Sequence, residues 1–134
     1  MDDFTKNRTS GSLIGIGLDQ LHRESKEWIN SVEFWKDELH FLDSILRKKI
    51  NDNRDQMFMD LLVNMGKVHD HLFTYLIKDI YDHEKLLSRL IKGEKGQADV
   101  DYRNGHKELK GKMDLFAKDF KEFKKMVFGY AKKF

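Results

Sequence analysis

The sequence predicts an all-α protein, an antiparallel bundle of three long helices preceded by an N-terminal arm. Two observations carry that expectation. Apolar residues recur in steps of three and four along two long seams, and the 134-residue chain contains no proline. From Leu21 the first seam runs Trp28, Val32, Trp35, Leu39, Leu42, Leu46; the last runs Leu109, Met113, Phe116, Phe120, Phe123, Val127, Tyr130, Phe134. Steps of three and four put each series on one stripe of a helix. Without proline nothing in the sequence forces those helices to stop or kink.

The arm covers residues 1–17, polar at first and then Ser12-Leu13-Ile14-Gly15-Ile16-Gly17, where alternating glycines deter a stable helix. Leu13, Ile14 and Ile16 are expected to lean on the bundle end. The bundle domain covers residues 18–134. Its first helix is expected over about 18–50, with Asp19 as N-cap and Arg47, Lys48 and Lys49 favourable beside the C-terminal dipole. Phe34, Phe41 and Ile45 widen its apolar stripe, so it should meet two neighbours.

A short connection at 51–54, with Asn53 and Gln56 at capping-box spacing, makes the next helix antiparallel. That helix is expected over about 55–92, ending at Gly93 as a C-cap. Its seam begins Phe58, Leu61, Met65, Val68, Leu72 and resumes Leu76, Ile80, His83, Leu87, Leu90. The extra step between the two stretches is a stutter, which shifts the phase of the stripe. A charged, glycine-containing loop should follow over 93–104, and Asn104 offers a cap for a last helix over about 105–134. Helices of 30 or more residues imply a bundle about 45 Å long.

Size and composition fit one domain. With 40% hydrophobic residues the chain can bury a real core, each seam side chain contributing about 1.5 to 3 kcal/mol. The absence of cysteine excludes disulfides, thiolate metal sites and cysteine nucleophiles. No apolar run approaches a membrane span, and Met1-Asp2-Asp3 is a poor opening for a secretory signal, so no membrane partner and a cytoplasmic address are expected. Residues 1–84 carry 11 Lys/Arg against 16 Asp/Glu, and residues 85–134 carry 14 against 7, so the net +2 conceals an acidic body and a basic last helix. The simplest consequence is attraction between the two within the bundle; the sharper one is a basic face for phosphate or an acidic partner.

The motifs that would signal chemistry fail on inspection. His83-Glu84 begins like HExxH, but Leu87 stands where the second histidine belongs. Asp99 and Asp101 imitate a calcium loop, yet Asn104 and Lys110 occupy the glycine and glutamate positions. The Glu-x-x-His pairs of di-iron bundles are absent. One constellation passes a register test. Hairpins turning near residues 52 and 98 would place His22 level with His83 and His83 level with Asp114, with Asp79 one turn before His83 as a further ligand or orienting group. The competing expectation is a core histidine hydrogen-bonded to Asp79 or Asp114.

The lysines of the last helix, Lys121, Lys124 and Lys125 among them, lie off its seam and are a candidate RNA- or ribosome-binding surface. With no arginine in that segment, contact would be with phosphates and sensitive to salt. Phe34, Phe41 and Phe128 fall beside the seams; uncovered, they form an apolar patch that marks a partner or self-association surface.

The stretch Trp28 to Leu46 and the closing Val127-Phe128-Gly129-Tyr130-Ala131-Lys132-Lys133 resemble small helical-bundle proteins of bacteria whose function is unassigned. In outline the three helices, with tryptophans on the first, are similar to a spectrin repeat. The resemblance implies the architecture and transfers no catalytic residue. The expected function is therefore a non-catalytic interaction or scaffold protein, not an enzyme and without a cofactor, binding a protein partner or itself as a homodimer. The alternatives are RNA or ribosome association and metal binding.

Overall fold

In the computed structural model the described residues are 17–48, 55–93 and 96–133. The arm at 1–16 and the 51–54 connection, with its expected Asn53 cap, lie outside them. The helices are α1 (Leu18–Lys48), α2 (Gln56–Asp70, His71–Leu76 and Ile77–Ile91 in one continuous rod) and α3 (Gln97–Ala131). Among the described residues there is no strand. Glu24 meets His106 and Glu38 meets Lys124, so α1 and α3 run parallel. Asp79 meets Lys112 and His83 meets His106, so α2 runs against α3. The bundle is up-down-up, as the short first connection predicts.

Helix ends follow local chemistry. The Gly17 carbonyl accepts from the Gln20 and Leu21 amides at 3.1 and 3.3 Å, so α1 starts one residue before the expected cap. Asp19 instead lies in the first turn, where its charge favours the dipole. Asp55 caps α2, its Oδ1 accepting from the Phe58 amide at 2.8 Å, a bond of the kind that contributes about 1 kcal/mol. Gly93 ends α2 at φ +117°, a left-handed conformation that a Cβ would strain, with its amide on the Leu90 carbonyl at 3.1 Å.

The stutter has a physical form. His71–Leu76 is a π-helical segment in which the Ile77 amide reaches the Leu72 carbonyl, five residues back. The wider turn lets Leu72 and Leu76 both face the core at 0% and 1% exposure.

The expected connection to the last helix is also corrected. The loop over 93–104 and the Asn104 cap are wrong: α3 begins at Gln97, and Asn104 is an exposed residue within it. Two i,i+4 pairs hold the additional turns, Gln97 Nε2 on Asp101 Oδ1 at 2.8 Å and Arg103 Nε on Asp99 Oδ1 at 3.0 Å. Tyr102, fully buried, anchors them to the core. The shorter connection moves the register of α3 by two turns, which decides the site described next.

The interior has two hydrophobic parts. The larger holds Val32 to Leu46 of α1, Phe58 to Ile80 of α2 and Leu109 to Tyr130 of α3, with Trp28 and Trp35 packed on it. The smaller, at the α2–α3 turn, holds Leu21, Leu87, Leu90 and Tyr102. A polar layer lies between them.

Candidate functional site

The buried polar residues of the described chain are Ser25, His83 and His106, and all three belong to that layer. Ser25 binds back to the Leu21 carbonyl of its own helix at 3.2 Å. The other two form a chain across the bundle: Glu24 Oε1 lies 2.9 Å from His106 Nε2, and His106 Nδ1 lies 2.9 Å from His83 Nε2. His106 is 0% and His83 7% exposed.

The chemistry of the groups orders the protons. A carboxylate only accepts, so His106 donates from Nε2; neutral His106 then accepts at Nδ1, and His83 donates from Nε2. His83 Nδ1 is left with a bare lone pair. That nitrogen is on the side of Gly105, where a Cβ would sit 3.7 Å away, and both residues line an open groove of about 240 Å³ with Asp79, Asp82, Glu108 and Lys112.

Aromatic rings enclose the chain. Tyr102 stacks on His83, centroids 4.2 Å apart and planes 6° from parallel, and Trp28 covers His106 at 4.5 Å. This enclosure sets the electrostatics. Burial, and then the neighbouring His106, pushes His83 down to about 4. Burial also lowers His106, opposed by its hydrogen bond and charge interaction with Glu24. Tyr102 is pushed up to about 12, by burial first and by the charge of Glu84 second, with Ser25 acting in the opposite sense. The layer therefore holds neutral histidines at neutral pH. At its edge His22 Nδ1 and Glu84 Oε2 are 3.1 Å apart, an ion pair when His22 is protonated but not aligned as a hydrogen bond.

The three helices thus meet at one level: hydrogen bonds join α1 to α3 through Glu24–His106 and α2 to α3 through His83–His106, and α1 and α2 approach each other there at His22–Glu84. The expected metal constellation is not assembled. His22 and His83 do share this level, as the first hairpin predicts. The partner of His83 on α3, however, is His106, because the early start of α3 carries Asp114 two turns farther along, where it is exposed. Asp79 is bonded to Lys112 at 3.1 Å. Among the described residues no group of three or more His, Asp or Glu side chains converges as a ligand set. His106 carried a readable signal: stepping back from Leu109 by three and then four gives His106 and Tyr102, the upstream continuation of the last seam.

The lysine candidates separate. Lys121 is exposed; Lys124 is held by Glu38 at 2.8 Å and lies over the Phe120 ring at 5.1 Å; Lys125 is 3.6 Å from Glu122. α3 does contain an arginine, since it includes Arg103, but that guanidinium is bonded to Asp99. The acidic and basic ends of the chain attract each other within the bundle through Glu38–Lys124 and Asp79–Lys112, as the simpler charge argument expects.

The aromatic candidates are where the sequence placed them, beside the seams. Phe34 is 62%, Phe41 60% and Phe128 41% exposed. The Phe41 and Phe128 rings meet across α1 and α3 with centroids 6.5 Å apart, next to the Glu38–Lys124 pair. On the other side of α1, a hollow of about 390 Å³ is lined by Leu39, Leu62, Met65 and Phe73 and rimmed by Arg47 and His69. Lys36, 5.3 Å above the Phe73 ring, separates it from a second hollow of about 290 Å³.

Among the described residues no helix is long and apolar enough to cross a membrane. No protein-family model, no curated protein and no solved structure matches the chain. Its functional reading rests on its own geometry.

Proposed function

We propose that this chain is a non-catalytic interaction module that binds a protein partner, or a second copy of itself, through Phe34, Phe41 and Phe128. The observation that carries the reading is the exposure of those rings on one flank, two of them in contact across α1 and α3. A buried phenylalanine stabilises a fold by about 1.5 to 3 kcal/mol relative to an exposed one. These three contribute little of that to the monomer and much of it to a complex that covers them. Aromatic side chains with a salt-bridged rim are the composition of an interface centre.

The Glu24–His106–His83 chain fits this reading as a device of the scaffold. It fixes the relative register of three helices that hydrophobic contact alone would let slide. The groove it faces is lined by carboxylates, Lys112, Leu86, Leu109 and Gly105, with no hydroxyl or thiol nucleophile beside His83 Nδ1. The cysteine-free composition fits work in a reducing compartment such as the cytoplasm.

The double substitution Phe34→Ala/Phe41→Ala is expected to abolish partner capture or self-association while shifting the unfolding free energy by less than about 0.5 kcal/mol, since both sites are exposed. Binding that persists in this variant, measured by co-purification and by sedimentation, would sink the assignment of the flank.

A further inference from the structure

The exposed stripe of α1 that carries the two phenylalanines has charges at its ends. Glu27, Phe34, Phe41 and Lys48 follow one another at intervals of seven, and all four are exposed. Residues seven apart return to nearly the same side of a helix, drifting about 20° per heptad, which a left-handed crossing absorbs. Neither Glu27 nor Lys48 forms an ion pair with a described residue of its own chain. The stripe therefore reads acid, aromatic, aromatic, base, and it is complementary to itself only when reversed.

We propose that the partner of this face is a second copy of the chain, paired antiparallel about a two-fold axis between Phe34 and Phe41. In that register Phe34 of each copy meets Phe41 of the other and leans on the Phe41–Phe128 contact, and Glu27 of each meets Lys48 of the other. A two-fold interface repeats each contact, so two aromatic pairs and two ion pairs form together. The parallel arrangement sets Glu27 against Glu27 and Lys48 against Lys48, so charge selects the antiparallel one. The proposal deepens the flank reading above and rests on it.

The size of the face agrees with an associating rather than an obligate pair. From Glu27 to Lys48 the stripe is about 30 Å long at the helical rise. With the adjoining edge of α3 it is about two helices, or roughly 20 Å, wide. That covers about 600 Å² on each copy, at the lower end of specific interfaces. Asp37 lies between the phenylalanines, exposed and close to the axis, where it approaches its own counterpart. This like-charge contact weakens the pair, so removing it has a predictable sign.

The test is sedimentation equilibrium of the full chain across the micromolar range. The wild type is expected to dimerise with rising concentration and Phe34→Ala/Phe41→Ala to remain monomeric with an unchanged helical circular dichroism spectrum. Glu27→Lys and Lys48→Glu are each expected to weaken the dimer about tenfold by turning two attractive pairs repulsive. The double swap Glu27→Lys/Lys48→Glu restores it, and Asp37→Asn tightens it. A parallel dimer has like charges at both ends whichever sign they carry, so indifference to the single swaps overturns the proposal. A wild type that stays monomeric also overturns it. If that monomer nonetheless captures a different protein in a Phe34- and Phe41-dependent way, only self-pairing is lost; if capture and self-association are both indifferent to those residues, the flank reading falls with it.

Discussion

Replacing His106 with alanine is expected to lower the unfolding free energy by about 3 kcal/mol. The substitution removes a fully buried ring and both of its hydrogen bonds. Three costs combine: lost packing under Trp28, a His83 N–H buried without an acceptor, and a Glu24 carboxylate deprived of its donor. Glu24 is one-third exposed, so water compensates for part of its loss, and the cost stays below that of a fully buried ion pair. Replacing both histidines with leucine is the informative comparison. It leaves no unpaired N–H in the layer and is expected to recover more than half of the loss, because an apolar pair can pack where a broken polar pair cannot. Urea unfolding with a common slope measures both variants. A His106→Ala cost below about 1 kcal/mol would mean that water enters the layer and satisfies the orphaned groups.

The second large effect is acid sensitivity. His83 titrates near 4 in the fold against 6.5 for an unperturbed histidine, because burial and His106 disfavour its charged form. Between these values the unfolded chain binds the proton and the folded chain does not. The contribution of His83 is therefore fully present above about pH 6.5 and is lost as pH falls to about 4. His106 is shifted in the same direction and adds to the effect. For His83 alone the shift corresponds to about 3 kcal/mol, a large fraction of the stability of a domain this size. Thermal unfolding followed from pH 7 to pH 4 is expected to show a steep decline. His83→Leu/His106→Leu should flatten it, and an equal decline in that variant would show that surface carboxylates, not the histidine layer, carry the acid response.

The architecture could be read from the sequence because its determinants are local. Trp28 through Leu46 and Leu109 through Val127 repeat at the helical period with no proline to break them, and Gly93 marks the end of α2 by its own chemistry; the N-cap of α2 is Asp55 where the capping-box spacing pointed to Asn53. The phase shift at Leu72 and Leu76 was also legible as a stutter, though its resolution into a π-helical turn depends on what the neighbouring helices demand. The start of α3 was misread. Asn104 has the chemistry of a cap, but the seam continues upstream through His106 to Tyr102, whose burial in the small core, with the Gln97–Asp101 and Arg103–Asp99 pairs, carries the helix through it to Gln97. That one boundary decided the site. His83 stands out as a histidine in an apolar seam, but its partner follows from the register between two helices, and an error of two turns exchanges His106 for Asp114. Glu24 was hidden for a different reason: nothing in the sequence near Trp28 distinguishes it from the other acidic residues of α1. The exposed phenylalanines, by contrast, needed only their displacement from the seam to be found.

The layer of histidines also divides the molecule's cooperativity. Leu21, Leu87, Leu90 and Tyr102 lie on one side of it, while the long Phe116 to Val127 seam lies on the other with the bulk of the buried surface. Hydrogen bonds across the layer are directional and break over a short displacement, whereas hydrophobic contact yields gradually. The turn end is therefore expected to open at the layer as a unit, releasing the first turns of α1 and α3 together with the last turn of α2, with Glu24, His106 and His83 as the latch; amide hydrogen exchange faster before Trp28 than after it would check this.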